Sequence, residues 1–338
     1  MEYHHKIVDL PAVPFSDRLI RPEEPLILVG SCFSDYVGGL LQRLYHPVVV
    51  NPMGIVFDPA SLLVHFQLVL ENKIESKWIF RRDGLYFSWL HHSQIYAATQ
   101  ADLHKRIASA RDRMYQGVAS ARLIAITLGT AFTYRLKHEG MHVANCHKMP
   151  AILFEKRLLS VNEISNSLDS LVEAIRRINK DASIIFTVSP VKHLRDGVVD
   201  NSRSKAHLIS AVHRTIDSTS DVWYYPAYEI VTDVLRNYEY YQEDMAHPTS
   251  KAVEVVFSHF LNTCFSKECR LQFGEIDRFL KSLHHQVRIP EADSSKKWFQ
   301  NLLIEKEKIE TSYHIRLAGN DLSRWEALYA QFTSATHT

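Results

Sequence analysis

Apolar positions change their period along this chain in an order that outlines its architecture. Leu26-Ile27-Leu28-Val29 is an uninterrupted apolar run bounded by Pro25 and Gly30, which suits a strand buried on both faces. Directly after it, Phe33, Tyr36, Val37, Leu40, Leu41 and Leu44 recur at helical spacing, so a helix starts within a residue or two of Ser31. Gly38 and Gly39 fall inside that helix, where glycine costs roughly 1 kcal/mol against alanine, and close packing on a sheet accounts for them. The alternation then repeats. Val48-Val49-Val50 is a second strand, followed by a helix from Pro59 through Leu62, Leu63, Phe66 and Val69. A helix through Leu103, Ile107, Ala110 and Met114 leads into strand Leu123 to Leu128. A helix through Ile164, Leu168, Leu171, Val172, Ile175 and Ile178 precedes strand Ser183 to Val188, and another, from about Asn201 to Asp217, precedes strand Val222 to Tyr225.

Two excursions interrupt this pattern. The segment from about 74 to 98 carries the aromatic, alternating pieces WIF and LYFSWL, compatible with a small hairpin or flap. Two short strands, Phe132 to Arg135 and Met141 to Val143, meet near Glu139-Gly140. The β/α alternation predicts a three-layer α/β/α sandwich around a mostly parallel five-stranded sheet, with ligands bound beyond the carboxyl ends of the strands. A helix from Pro248 to Cys264 closes that core. Beyond it the chain is more charged and helical, with Phe279, Leu280, Leu283, Trp325, Leu328, Tyr329 and Phe332 as apolar faces. The expected division is a core domain over 1–264 and a helical appendage over 265–338.

With 338 residues, 46% of them hydrophobic, the chain can bury a full core. Lys+Arg 39 against Asp+Glu 38 leaves a net charge of +1, so no global field draws it to nucleic acid or a membrane surface. The opening MEYHHKIVDLPAVPF lacks a basic segment followed by an apolar run, and no stretch of about 18 apolar residues occurs; a soluble cytoplasmic protein is expected. Cys32, Cys146, Cys264 and Cys269 form no C-x-x-C cluster, so reduced thiols are expected. His91-His92, His147 and His193 lack a compact zinc spacing; no metal or cofactor is expected, and substrate contact or structural hydrogen bonding is their expected role.

Chemistry concentrates at the strand ends. Ser31 lies between a strand and a helix, where its hydroxyl reaches the carboxyl edge of the sheet and the adjoining N–H groups face a helix start; the alternative is a helix cap. Gly54, after the second strand, can bring a bare N–H near a carbonyl oxygen. In Asp244-Met245-Ala246-His247-Pro248, Pro248 suits a first helical position, and Asp244 one turn back can orient His247 as a base. With this many acids and histidines, roughly two such pairs arise by chance, so the weight comes from their place at the edge where Ser31 falls. Cys32 is expected to pack. Lys192, His193 and Arg195 follow the fourth strand and reach the same edge, either to hold an anionic substrate or as a solvated loop.

Gly30-Ser31-Cys32-Phe33-Ser34 followed by Asn51-Pro52-Met53-Gly54-Ile55 resembles the opening signature of the GSCFA family, a bacterial group within the SGNH (GDSL-like) hydrolases. Gly129-Thr130-Ala131-Phe132, Asn145-Cys146-His147, Ser189-Pro190-Val191-Lys192-His193 and Asp244-Met245-Ala246-His247-Pro248 continue the resemblance to about residue 262. It implies an SGNH-type sheet with Ser31 as nucleophile, Gly54 as an oxyanion donor, and Asp244 and His247 completing a triad. One departure stands out: SGNH enzymes carry an Asn after the third strand, where this chain has Thr130-Ala131-Phe132. The third donor then falls to the Thr130 hydroxyl, to Asn145 folding back, or to neither. The expected activity is that of a serine esterase or acyltransferase on an O-acyl ester, such as an acylated sugar or another small polar molecule. The competing expectation is a catalytically idle binding module for a glycan or a protein partner.

Overall fold

The computed structural model describes residues 9–10, 15, 18–71 and 76–334. Most of the opening segment read for a leader, and the start of the irregular stretch near 74, lie outside the described residues. The chain divides into two compact units, one carrying everything from the first strand to Cys264 apart from residues 43–45, the other running from Phe265 onward.

The first unit opens with β1 (Leu26–Gly30), α1 (Cys32–Arg43), β2 (Val48–Val50) and α2 (Pro59–Glu71). An antiparallel sheet of β3 (Ile79–Arg82), β4 (Leu85–Ser88) and β5 (Tyr96–Ala97) follows, then α3 (Gln100–Ser120) and β6 (Leu123–Leu128). β7 (Phe132–Leu136), β8 (His142–Val143) and β9 (Phe154–Leu158) make a second antiparallel excursion in the order β8-β7-β9. Next come α4 (Val161–Ile178), β10 (Ser183–Val188), α5 (Val198–Ser218), β11 (Val222–Tyr225), the short α6 (Ala227–Glu229) and α7 (Ser250–Cys264).

Five strands form one sheet in the order β11-β10-β6-β1-β2, and every pairing in it is parallel. All residues of β1, β6 and β10 are buried, which is why these strands read as unbroken apolar runs. Alternation still sorts their side chains between the two faces. Ile27, Val29, Ile124, Ile126, Leu128, Ile184, Phe186 and Val188 pack with residues of α2, α3, α4 and α5, while Leu26, Leu28, Leu123 and Ile185 are equally buried and point to the opposite layer. On β11, Tyr225 donates its hydroxyl to the Val256 carbonyl of α7 and meets Phe260 edge-on. Ser160 and Glu163 form a reciprocal capping box at the start of α4, so the helix N-terminus carries its own sequence signal.

Three expectations are corrected. The second excursion has a third strand, β9, whose exposed Glu155 and Lys156 hide its strand character. The last core helix starts at Ser250, because Pro248 is held in an isolated antiparallel bridge to Tyr241; Pro248 therefore precedes the helix. Gly38 and Gly39 also differ. A Cβ on Gly38 would overlap Val50, whereas one on Gly39 would meet open space, so only Gly38 is explained by packing on the sheet.

The second unit consists of α8 (Lys267–Leu283), α9 (Asp293–Tyr313) and α10 (Gly319–Ser334). Ser266 caps α8 by accepting the Cys269 N–H at 3.1 Å, and Phe299 stacks on Phe332 with ring centroids 4.6 Å apart. Among the described residues no helix is long and apolar enough to cross a membrane.

Candidate active site

The turn after β1 is built around Gly30. Its φ is +129°, and a side chain there would run into the Thr127 carbonyl of β6, so only glycine lets β1 end this close to its neighbour. The Gly30 N–H donates to Asn51 Oδ1 at 2.8 Å, and Asn51 Nδ2 donates to Asp35 Oδ1 at 2.6 Å. One side chain thereby ties the ends of β1 and β2 to the first turn of α1. Ser31 is only 4% exposed. Its N–H donates to the Thr127 carbonyl at 3.0 Å, and its Oγ accepts the Phe33 N–H at 3.2 Å, the helix-capping arrangement.

Gly54 has φ +85°, and an added Cβ would stand 2.6 Å from His92 Cβ; the glycine seats His92. The Gly54 N–H donates to the Asn51 carbonyl at 2.8 Å, so it closes a turn in this conformation.

His247 and Asp244 are brought together by their own loop. His247 Nδ1 lies 2.6 Å from Asp244 Oδ2, while Asp244 Oδ1 accepts the N–H groups of Ala246 and His247 at 2.9 and 3.0 Å. These bonds, the His247 N–H first, pull the carboxyl down to about 2, because they favour the charged form. The Lys192 N–H donates to the Ala246 carbonyl at 3.0 Å, which pins this loop to the one after β10. The charge of Asp244 is felt at Tyr36 in α1, and that of His247 at His193. The loop thus lies at the carboxyl end of the sheet, beside the loop that follows β10. Among the described residues, His247 Nε2 makes no hydrogen bond and Ser31 Oγ does not bond to it.

His193 packs its ring 5.4 Å from Phe57 and donates its backbone N–H to Asn201 Oδ1 at 2.8 Å. Burial, assisted by the Lys205 cation, pulls its imidazole down to about 4. Thr130 and Asn145 are both engaged in local hydrogen bonds. The Thr130 hydroxyl pairs with Ser204 Oγ at 3.0 Å and accepts the Phe132 N–H at 3.1 Å, and Asn145 Oδ1 accepts the His147 N–H at 2.7 Å. His91 and His147 both bond to Ser88, through its Oγ and its carbonyl at 2.9 and 2.8 Å. Among the described residues no three His, Cys, Asp or Glu side chains are grouped to hold a metal ion. Cys32 is half-buried, and burial raises its thiol, which disfavours a thiolate nucleophile.

Spacing did not reveal two further groups. Ser61, His142 and Asp58 also assemble, with Ser61 Oγ 2.6 Å and Asp58 Oδ1 3.7 Å from the same His142 Nε2. A relay needs serine and carboxylate on opposite ring nitrogens, and His142 Nδ1 instead faces Thr133 at 3.2 Å; this cluster ties α2 to β7 and β8. The second is Lys205, buried in α5, with Nζ 2.6 Å from the Gly129 carbonyl and 2.8 Å from that of Ser189. Its one sequence signal was a lysine on the stripe Asn201, Ser204, Leu208, Ala211, Val212, Thr215, all buried.

The fold defines an α/β/α protein built on an all-parallel five-stranded sheet. The GSCFA family pattern matches residues 25–260, and the chain belongs to the GSCFA family. No curated protein matches it. Among solved structures it is similar to an acetyl xylan esterase from the rumen bacterium Butyrivibrio proteoclasticus, at 11% identity and a TM-score of 0.39, covering 72% of this chain and 64% of that one. It is similar to a Streptococcus pneumonia protein provisionally described as a platelet activating factor, at 13% identity and TM-score 0.38, covering 71% and 83%. A carbohydrate esterase family 3 protein from Talaromyces cellulolyticus aligns at 7% identity and TM-score 0.35, covering 75% and 99%.

Proposed function

We propose that this chain is a serine-dependent acyl-ester hydrolase or acyltransferase, with Ser31 as nucleophile, His247 as general base and Asp244 as the group that orients His247. The observation that carries this reading is the Asp244–His247 pair at 2.6 Å, its carboxylate locked by two backbone N–H groups, on the edge where Ser31 opens α1. Asp244 holds the Nδ1 proton in place and leaves Nε2 as the basic nitrogen. Rotation of the Ser31 side chain away from its cap on Phe33 presents Oγ to Nε2 and to the substrate carbonyl. His247 takes the hydroxyl proton as the Oγ–C bond forms and the carbonyl π electrons move to oxygen. Collapse of that intermediate breaks the C–O bond of the ester, and His247 returns the proton to the leaving alcohol. Water or a second alcohol then resolves the acyl-enzyme. The N–H of Cys32, at the first position of α1, faces the reacting carbonyl with the positive helix end behind it. The substrate class is an O-acyl ester of a small polar molecule, an acylated sugar being the leading example.

A catalytically idle module that binds a glycan or a protein is the second reading, and the Ser31 Oγ bond to the Phe33 N–H at 3.2 Å favours it. A fluorophosphonate probe and a panel of acyl esters, applied to wild type and Ser31→Ala, separate the two. Labelling and turnover that vanish in Ser31→Ala support the hydrolase; wild type that neither labels nor turns over supports the module.

A further inference from the structure

Lys205 is 1% exposed, and among the described residues no carboxylate pairs with it. The groups that face it are Cys32 in α1, His193 in the loop after β10, and Tyr228 in α6, whose ring centroid lies 5.9 Å from Nζ. A buried ammonium without an acidic partner costs stability, and carbonyl groups alone offset that cost here. Its two hydrogen bonds go to Gly129 and Ser189, the residues that directly follow β6 and β10.

The turn that Lys205 holds has one N–H left over. Gly129 N–H donates to the Phe57 carbonyl, Ala131 N–H to Ser204 Oγ and Phe132 N–H to Thr130 Oγ1, at 2.8, 2.7 and 3.1 Å. Among the described residues the Thr130 N–H has no acceptor, although Thr130 is only 6% exposed. A buried backbone donor without a partner is rare and costly. Its direction follows from the Gly129–Thr130 peptide, which is trans, so the N–H points opposite to the Gly129 carbonyl. That carbonyl is turned toward Lys205, which simultaneously bonds the end of β10. β6 lies between β10 and β1, and its Thr127 carbonyl accepts the Ser31 N–H, so the Thr130 N–H belongs to the turn beside Ser31.

We propose that Lys205 is a positioning residue of this site: by strapping the Gly129 and Ser189 carbonyls together, it aims the Thr130 backbone N–H at the Ser31 centre as the oxyanion donor that replaces the missing asparagine. The donor is the amide of Thr130, while its hydroxyl stays with Ser204. Burial pulls the Lys205 amine down to about 7, and a neutral amine still has two N–H donors for two carbonyls, so the strap holds in both charge states. This role rests on the hydrolase reading above.

The test replaces Thr130 with its α-hydroxy acid, which removes that single N–H and leaves the side chain, and compares it with Lys205→Met and Lys205→Gln in the full chain. The readouts are the rate of Ser31 labelling by a fluorophosphonate, and kcat and KM for p-nitrophenyl acetate, with Ser31→Ala as background. The backbone ester is expected to lower kcat about a hundredfold with KM within about twofold. Lys205→Met should move kcat the same way, and the two changes together should cost no more than the larger one, as expected of groups acting as a unit. A purely structural lysine would lower the melting temperature without this kcat-only split. An active wild type whose backbone ester keeps its kcat overturns the Lys205 role alone. A wild type that neither labels nor turns over overturns the hydrolase reading and the Lys205 role with it. Should both lysine variants fail to fold, the backbone ester decides.

Discussion

Asp244 grips His247 twice, by the ring and by the backbone: Oδ2 lies 2.6 Å from Nδ1, and Oδ1 accepts the His247 N–H at 3.0 Å. Both bonds act within a four-residue loop, so the orientation of the imidazole does not depend on a distant element. His247→Ala is expected to cut turnover as deeply as Ser31→Ala, because members of a triad act together. Asp244→Asn should still cost several orders of magnitude, because its amide oxygen keeps the N–H groups of Ala246 and His247 while its NH2 then faces Nδ1 and favours the wrong tautomer. It should cost less than either alanine variant, since Ser31 and His247 both remain. Steady-state kcat for the three variants on one ester checks the order; an Asp244→Asn variant as impaired as His247→Ala would mean that the carboxylate charge itself is required.

Ser31→Ala should abolish labelling by a serine-directed probe and also lower stability. The hydroxyl is buried and caps the Phe33 N–H, and loss of such a cap costs about 1 kcal/mol, or roughly 2–4 °C in melting temperature for a domain of this size. Thermal unfolding followed beside the labelling assay reads both. Labelling that persists in Ser31→Ala would move the nucleophile elsewhere, with Cys32 the first residue to replace.

The two glycines of α1 should respond with opposite signs. Gly39→Ala enters open space in a helix and is expected to stabilise by about 0.4–1 kcal/mol, whereas Gly38→Ala collides with Val50 and should destabilise through overpacking by about 1–3 kcal/mol. Paired denaturant titrations measure the difference. Equal effects would mean that α1 does not lie against β2 as described.

Acid should weaken the first unit before its carboxylates are neutralised. Burial pulls His46, His65, His147 and His193 each down to about 4, against about 6.5 in an unfolded chain. Folding therefore favours the neutral rings. Their contribution is complete above about pH 6.5 and is lost as pH falls toward 4, because over that window the unfolded chain binds more protons. Melting temperatures measured from pH 7 to pH 4 at constant ionic strength should fall with the steepest slope inside that window. A flat profile there would show that these rings are solvated.

The sheet was legible because strand and helix periods are local properties. The runs Leu123 to Leu128 and Ser183 to Val188 become β6 and β10 with the same bounds, since a strand covered on both faces must be apolar throughout. β9 was not legible: Glu155, Lys156 and Arg157 break its apolar pattern, and its identity comes from pairing with β7 some twenty residues earlier. The start of α7 was misplaced for a similar reason, as the bridge between Pro248 and Tyr241 outweighs the local fitness of proline for a helix start.

At the site, the sequence by itself singled out the residues proposed to carry chemistry. Ser31 after a buried strand, Asp244 and His247 in one loop, and Gly54 after β2 all follow from nearest neighbours along the chain and from the family signature. Only the tertiary structure decided what each polar group is committed to. Carbonyls of Thr127 and Asn51 take the N–H groups of Ser31 and Gly54, Ser204 takes the Thr130 hydroxyl, and Lys205 reaches across from α5 to two strand ends. Helical spacing puts a lysine on a buried stripe, but hydrogen-bond partners depend on how elements far apart in sequence are registered against one another, and no local period encodes that.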